Sequence, residues 1–220
     1  MANSESTKNK ILRVSTTMFL EVGYSKTSPQ MIAKELKVST GNLTYYYPTK
    51  EHLLAVLTDL LCKYQWKMIK DEAEGGISLL LAICLELMTM AAACEESEVA
   101  KDFFVSTYQS PKCLEIIHNN DTARAKEVFA EYCSDWTDEQ FREAEILVAG
   151  IEHATLNAID KTVPLEIRIS GALNTIMMIY NVPEEIRRIK IEKVLAMDYR
   201  SIGKRIFNEF KEYVEKENAF

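Results

Sequence analysis

Thr40, Asn42, Thr44, Tyr45, Tyr46 and Lys50 lie within one short stretch, and their side chains are of the kinds that read nucleic acid. An asparagine amide can bond the edge of an adenine in the major groove. A threonine can bond a base or touch a thymine methyl, and tyrosine hydroxyls reach phosphate oxygens. Gly41 removes a side chain where the leading turn of such a helix would approach the groove. Thr49 and Lys50 open a further helix, whose first amides and positive dipole end suit a phosphate, and Lys50 adds a full charge. A helix that merely faced solvent would more often carry Glu and Lys here.

Two elements must position these groups. Ser28 can cap the free amides of a first turn, and Pro29 suits a first helical position that needs no donor. Met31, Ile32 and Leu36 recur at helical spacing opposite Gln30, Lys34 and Glu35, which predicts a short amphipathic helix with Ala33 free for close packing. Lys37 and Val38 make a turn, and Ser39 or Thr40 caps a second helix anchored by Leu43 and Tyr47. Pro48 marks its end, because the residue before proline is pushed out of the helical region. Two helices around a tight turn form a helix-turn-helix.

On these residues, Ile11 to Leu54 resembles the DNA-binding domain of the TetR family of bacterial transcriptional regulators. Ile11 and Leu12, Met18 and Phe19, and Gly23-Tyr24 correspond to the family's first helix and its closing glycine. Thr27, Ile32 and Ala33 match the second helix, and Val38-Ser39, Gly41, Leu43, Tyr47 and Lys50-Glu51 follow in the family's spacing. Ser15 replaces a usual alanine, Lys37 a usual glycine, and Thr44 a common phosphate-contacting tyrosine. These departures leave the fold reading intact and leave open which base each residue reads. The expected DNA-contact set is Thr27, Ser28, Ser39, Thr40, Gly41, Asn42, Thr44, Tyr45, Tyr46 and Lys50.

The net charge of −7 is segregated along the chain. Residues 1–52 hold seven Lys/Arg and four Asp/Glu, a balance of +3, whereas residues 53–220 hold nineteen and twenty-nine, a balance of −10. A basic head can hold phosphates while the acidic remainder limits nonspecific adhesion. The five cysteines form no Cys-x-x-Cys pair and have no histidine at metal-ligand spacing, so reduced, partly buried thiols are expected and no metal or cofactor is. The amino terminus has no apolar signal core, which points to the cytoplasm. Ile77 to Cys94 is apolar enough to raise a membrane question. Glu86 near its centre would cost about 2.5–3.5 kcal/mol there, so a buried helix is expected instead.

Beyond residue 53 the chain reads helical throughout, giving an all-α protein with a head at 1–52 and an effector-binding and dimerisation body at 53–220. Expected elements are a long connecting helix over Leu53–Lys70, breaks at Gly75-Gly76, Glu95-Glu96 and Ser110-Pro111, and a helix capped by Asp138 running to about Asp160. Pro164 and Pro183 each fit a first helical turn. Small and apolar stripes in Glu139–Asp160 and Leu165–Tyr180 provide a candidate self-association face that includes Leu147, Gly150, Ile151, Ala154, Gly171 and Ile176. The resemblance implies a homodimer, which would set two heads on successive half-sites of a palindromic operator. It also implies a repressor released from double-stranded DNA by a small-molecule effector of unknown identity. Candidate pocket residues are Met88, Phe103, Phe104, Tyr108 and Trp136. An architectural or activating DNA binder of the same fold is the alternative: a closed, apolar pocket would favour the sensor and a filled core the architectural role. A helical enzyme is disfavoured, since there is no glycine-rich phosphate loop, paired metal motif or recognisable nucleophile setting.

Overall fold

The computed structural model describes residues 6–158 and 162–217, and eleven α-helices and no strand occur among the described residues. The head consists of α1 (Thr7–Glu21), α2 (Pro29–Leu36) and α3 (Thr40–Tyr46). Each starts on a serine whose side chain accepts an early amide: Ser6 from Asn9, Ser28 from Met31 and Ser39 from Asn42. The α2–α3 turn closes with Val38 N–H donating to the Ala33 carbonyl and Lys37 N–H to that of Lys34. Lys37 adopts the left-handed conformation, φ 55°, that a glycine would take without strain. Ser15 is fully buried and donates its hydroxyl to the Ile11 carbonyl at 2.6 Å, so the polar atom that replaces a usual alanine is satisfied. Ile32 and Ala33 form the buried face of α2, whereas Met31, expected on that face, is exposed.

The long helix α4 (Lys50–Glu74) carries Leu53 and Leu54 into the head core and Leu57, Leu61 and Ile69 into the body. The boundary expected at residues 52 and 53 falls inside its first turn, so head and body share a helix rather than a linker. The helix ends at Gly75, and Gly76 takes φ +100° before the chain re-enters the body.

The body comprises α5 (Leu79–Glu96), α6 (Glu98–Gln109), α7 (Pro111–Val128), α8 (Asp138–Leu156), α9 (Leu165–Ile179), α10 (Glu184–Leu195) and α11 (Tyr199–Glu217). Helix α5 is its axis, packed by α4, α6, α8, α9, α10 and α11. That position explains why α5 is apolar nearly all round. Among the described residues no helix is long and apolar enough to cross a membrane. Thr137, not Asp138, caps α8, in a reciprocal box with Gln140. That helix ends at Leu156, and its expected end at Asp160 lies outside the described residues. Pro164 and Pro183 stand one residue ahead of α9 and α10, as their N-caps. All five cysteines are buried free thiols, and burial pushes Cys84 and Cys94 up to about 12, so they are poor nucleophiles at neutral pH.

Helices α5 and α11 meet at Gly203, where an added Cβ would fall 2.6 Å from the Thr89 carbonyl oxygen. Backbone cannot yield there as a side-chain tip can. We predict that Gly203→Ala lowers the unfolding free energy by about 1–3 kcal/mol through forced separation of the two helices. Urea denaturation checks this, and an unchanged midpoint would refute the close contact.

Candidate nucleic-acid interface and the buried polar cavity

On α3, Leu43 and Tyr47 are the buried anchors, which leaves Thr40, Gly41, Asn42, Thr44 and Tyr45 exposed. Tyr45 is 82% exposed and meets the half-buried Tyr46 edge-on, with ring centroids 5.1 Å apart. Thr44 donates its hydroxyl to the Thr40 and Gly41 carbonyls, at 3.1 and 3.2 Å, which holds its methyl in a fixed rotamer. The face therefore presents an amide, hydroxyls and aromatic edges on a short, firmly seated helix.

Four expected contact residues have work inside the head. Thr27 is buried and donates its hydroxyl to the Gly23 carbonyl at 2.7 Å. Its side chain braces the loop between α1 and α2 and is not presented to DNA, which corrects the expectation. Ser28 and Ser39 act as helix caps. Lys50 is turned inward: its ammonium donates to the carbonyls of Tyr24 at 2.9 Å and Thr27 at 3.1 Å and lies 4.0 Å from the Tyr24 ring centroid. Burial lowers its pKa, partly opposed by Asp102. An ammonium has three protons, so two carbonyls leave one for an outside acceptor. Next to it, Thr49 bonds His52 Nδ1 at 2.8 Å instead of capping the first amides of α4.

The head is tied to the body by contacts that the sequence did not signal. Asp102 of α6 accepts the Ser25 amide at 2.8 Å, and its carboxylate lies 2.9 Å from where a Cβ on Gly23 would stand. With φ +105°, Gly23 is thus fixed by both its backbone and its neighbour. At the other end of α6, Ser110 donates to Glu51 of α4 at 2.6 Å, and this bond holds the Glu51 carboxyl below its usual range.

Between α4, α5, α6, α7, α8 and α9 lies a cavity offering about 60 Å³ to the centres of water-sized groups. That is room for about four or five of them. Part of its wall is apolar, with Leu80, Ile83, Leu87, Val148, Leu173 and Met177. The rest is strongly polar. Arg124 pairs with Glu86 and, at 3.0 Å, with Asp121, while its Nε has no partner. Tyr180 donates its hydroxyl to Glu145, and Tyr108 donates to Glu152 at 2.9 Å. Burial raises the Glu86, Asp121 and Glu152 carboxyls, and burial together with Asp121 lifts Glu145 to about 8. Burial alone would lower Arg124, but Glu86 and Asp121 hold it charged.

Of the five expected pocket residues only Tyr108 lines this cavity. Met88 and Phe103 are fully buried elsewhere in the core, Phe103 stacking on Phe210. Phe104 packs against Phe207, and Trp136 against Phe141 and Tyr180. Residue size and aromaticity picked out packing positions, while the wall of this cavity adds four carboxyl groups to its apolar residues. Of the expected self-association residues, Leu147, Gly150, Ala154 and Gly171 are exposed and Ile151 is half-buried. Ile176 is 5% exposed and lines the cavity, so it faces inward and leaves that set. Ile167 and Met178, at 62% and 53% exposure, take its place on the outer face of α9.

Residues 11–57 match the family model of bacterial regulatory proteins of the tetR family. The HTH-type transcriptional regulator HbdR of Aromatoleum sp. (strain CIB) is 31% identical over 111 residues, 50% of this chain and 47% of that protein. The chain thus matches about half the length of that curated relative. The crystal structure of Thermus thermophilus FadR, a TetR-family transcriptional repressor in complex with lauroyl-CoA, overlays with a TM-score of 0.57 at 18% identity. The overlay covers 77% of this chain and 93% of that one, and it identifies a common fold. A gamma-butyrolactone receptor (ArpA-like protein) overlays with a TM-score of 0.45 at 17% identity, over 91% of this chain and 96% of that chain.

Glu145 has a raised pKa in the folded chain, near 8 against an ordinary 4.5, so between those pH values the folded state holds a proton that the unfolded state lacks. Its contribution to stability is therefore full below about pH 4.5 and is lost as pH rises through about 8. Glu145→Gln should flatten the decline of Tm between these limits and stabilise the protein at pH 8 by roughly 1–3 kcal/mol. Parallel melting curves of parent and variant across this range would show it, and superimposable pH profiles would contradict the assignment.

Proposed function

We propose that this chain, a DNA-binding regulator of the TetR family through its residues 11–57, is a homodimeric repressor released from a palindromic operator by a small-molecule effector. The observation that carries the reading is the outer face of α3, where Thr40, Asn42, Thr44 and Tyr45 stand exposed on a helix fixed by buried Leu43 and Tyr47. Asn42 and the threonines face base edges. Tyr46, the third proton of Lys50 and the leading amides of α4 hold phosphates. Such a protein works in the cytoplasm, where the DNA is.

The outer faces of α8 and α9 support dimerisation. Leu147, Gly150 and Ala154 on one, with Ile167, Gly171 and Met178 on the other, form a continuous exposed face of small and apolar residues on adjacent helices. Among the described residues nothing stands within 4 Å of a Cβ added to Gly150 or Gly171, so there is open space above both. A two-fold copy would bury it as a four-helix layer and set two heads on successive half-sites. The body has space in its core where the architectural alternative expects a filled one, although the wall is partly polar, and this supports a ligand-responsive regulator. An effector that prefers a head spacing unsuited to successive grooves would release DNA by population shift.

Selection of bound duplexes from a random pool at stated salt should enrich a palindrome, and no enrichment by folded protein would remove the reading. On the enriched site, Asn42→Ala should chiefly relax sequence preference, by about 1–3 kcal/mol at one position. Lys50→Ala should weaken all duplexes and reduce the salt slope by about one unit. It should also lower Tm, because two loop carbonyls lose their donor. An unchanged slope would confine Lys50 to its structural role. Independently, Leu147→Glu should leave Tm of the isolated subunit near that of the parent and shift the mass in solution from dimer to monomer. A dimer that persists would place the interface elsewhere.

A further inference from the structure

We infer that the body cavity binds a small organic cation, an ammonium or amidinium group on a short apolar body, with its N–H groups on Glu145 and Glu152. The inference rests on the proposed function and names the chemical class of the effector. Four carboxyl groups and one guanidinium line the cavity. The guanidinium is committed, because Arg124 is shared between Glu86 and Asp121. Glu145, buried, and Glu152, half-buried, stand seven residues apart on one face of α8, and among the described residues their hydrogen-bond partners are neutral tyrosine hydroxyls. Two carboxyl groups drawn out of water without a cation either keep their protons or wait for a positive charge.

A second observation points to an occupant. Arg124 is more than nine-tenths buried and lines the cavity, and its Nε–H has no acceptor. A self-contained ion network would close on itself, whereas this one leaves, among the described residues, a donor aimed at cavity space that a water entering with an occupant would satisfy. The remaining wall suits the uncharged part of such a molecule. Phe129 and Tyr180, stacked on each other with centroids 3.9 Å apart, add ring surface to the wall. Ile83, Leu173 and Met177 provide apolar contact. An anion entering the same space would have to compete with Glu86 and Asp121 for Arg124, the one guanidinium in the wall.

Binding is coupled to proton release. The groups facing Glu145 are Gln65 from α4, Glu86 from α5, Tyr108 from α6, Asp121 and Arg124 from α7, Glu152 on α8 itself and Tyr180 after α9. Arg124 is the one cation among them and is already shared. A cation seated between Glu145 and Glu152 therefore displaces to buffer the protons that burial holds on both, and affinity rises with pH through about 8, where Glu145 loses its proton without a ligand.

The test is calorimetric titration of the full-length protein at pH 6 and pH 8 with n-alkylammonium ions of propyl to octyl length, against the matching alkanols and alkanoates. The ammonium series should bind about tenfold or more tightly than either control and more tightly at pH 8, with heats that depend on the buffer's ionisation enthalpy. Glu145→Gln and Glu152→Gln should each weaken the ammonium ions by about tenfold or more while Tm stays level or rises. Preference for alkanols, preference for alkanoates, binding by none of the three series, or full affinity in both folded Gln variants would each overturn the inference. Release of the selected duplex is read separately. Cations that bind without releasing it keep the ligand class and remove the effector role. Intact duplex binding without cation binding removes the ligand class alone.

Discussion

Helix α4 belongs to two cores at once, and most of what this protein can do depends on that constraint. Leu53 and Leu54 are buried where α4 packs on α1, and Leu61 and Ile69 are buried further along the same helix. A rigid helix transmits rotation and translation without the slack of a linker. The head is also fastened through Asp102 to the Ser25 amide and through Ser110 to Glu51, both from the α6–α7 side. Charge-assisted bonds of this kind are worth roughly 1.5–3 kcal/mol each, enough to set a preferred head orientation and weak enough to be exchanged for another. Head orientation and body packing are thus linked through one helix and two hydrogen bonds.

The polar cavity is poorly explained by stability. A buried ion group such as Glu86–Arg124–Asp121 often contributes no more than well-packed apolar residues of the same volume, and unpaired carboxyl groups such as Glu145 and Glu152 cost more. The surrounding fold shows how readily an apolar solution was available, since α5 is buried along most of its length with Leu, Ala, Met and Cys. Chemistry retained against that background is more economically understood as recognition than as support. The same reasoning separates the cavity from the thiols, whose burial raises their pKa and leaves them as small apolar packing groups.

The head was legible because its rules are local. Ser28-Pro29, Ser39 and Pro48 fix helix ends within a few residues of themselves, and those caps are found as bonds to Met31 and Asn42. The inward turn of Lys50 was not legible, since its partners at Tyr24 and Thr27 lie beyond any local pattern. The cavity was hidden for a related reason. Its carboxylates sit on three helices, and in a linear reading each passes for a solvated surface residue. One sign was present: Glu145 and Glu152 fall in phase with the apolar positions Ala144 and Val148 of α8, on the side that packs inward. Phase would also have corrected the self-association face. Gly171 and Ile176 are five residues apart, about 140° around a helix, and cannot share a face. Ile167, Gly171 and Met178 can, and they are the exposed ones.

On the proposed mechanism the small size of the cavity becomes an asset. A ligand that fitted both head arrangements equally would shift nothing, however tightly it bound. With room for only a few water-sized groups, the cavity must widen around an organic cation, and that ties affinity to a change of state. Helix α6 is placed to carry the change. Tyr108 meets Glu152 in the cavity wall, and Asp102 meets Ser25 and Gly23 in the head. Six residues separate them, about 9 Å along a single helix. A shift at one end that breaks the tyrosine–carboxyl contact is presented at the other end to the loop between α1 and α2. That loop supplies the two carbonyls holding Lys50, so the same displacement reaches the first turn of α4, where phosphate contact and head orientation meet.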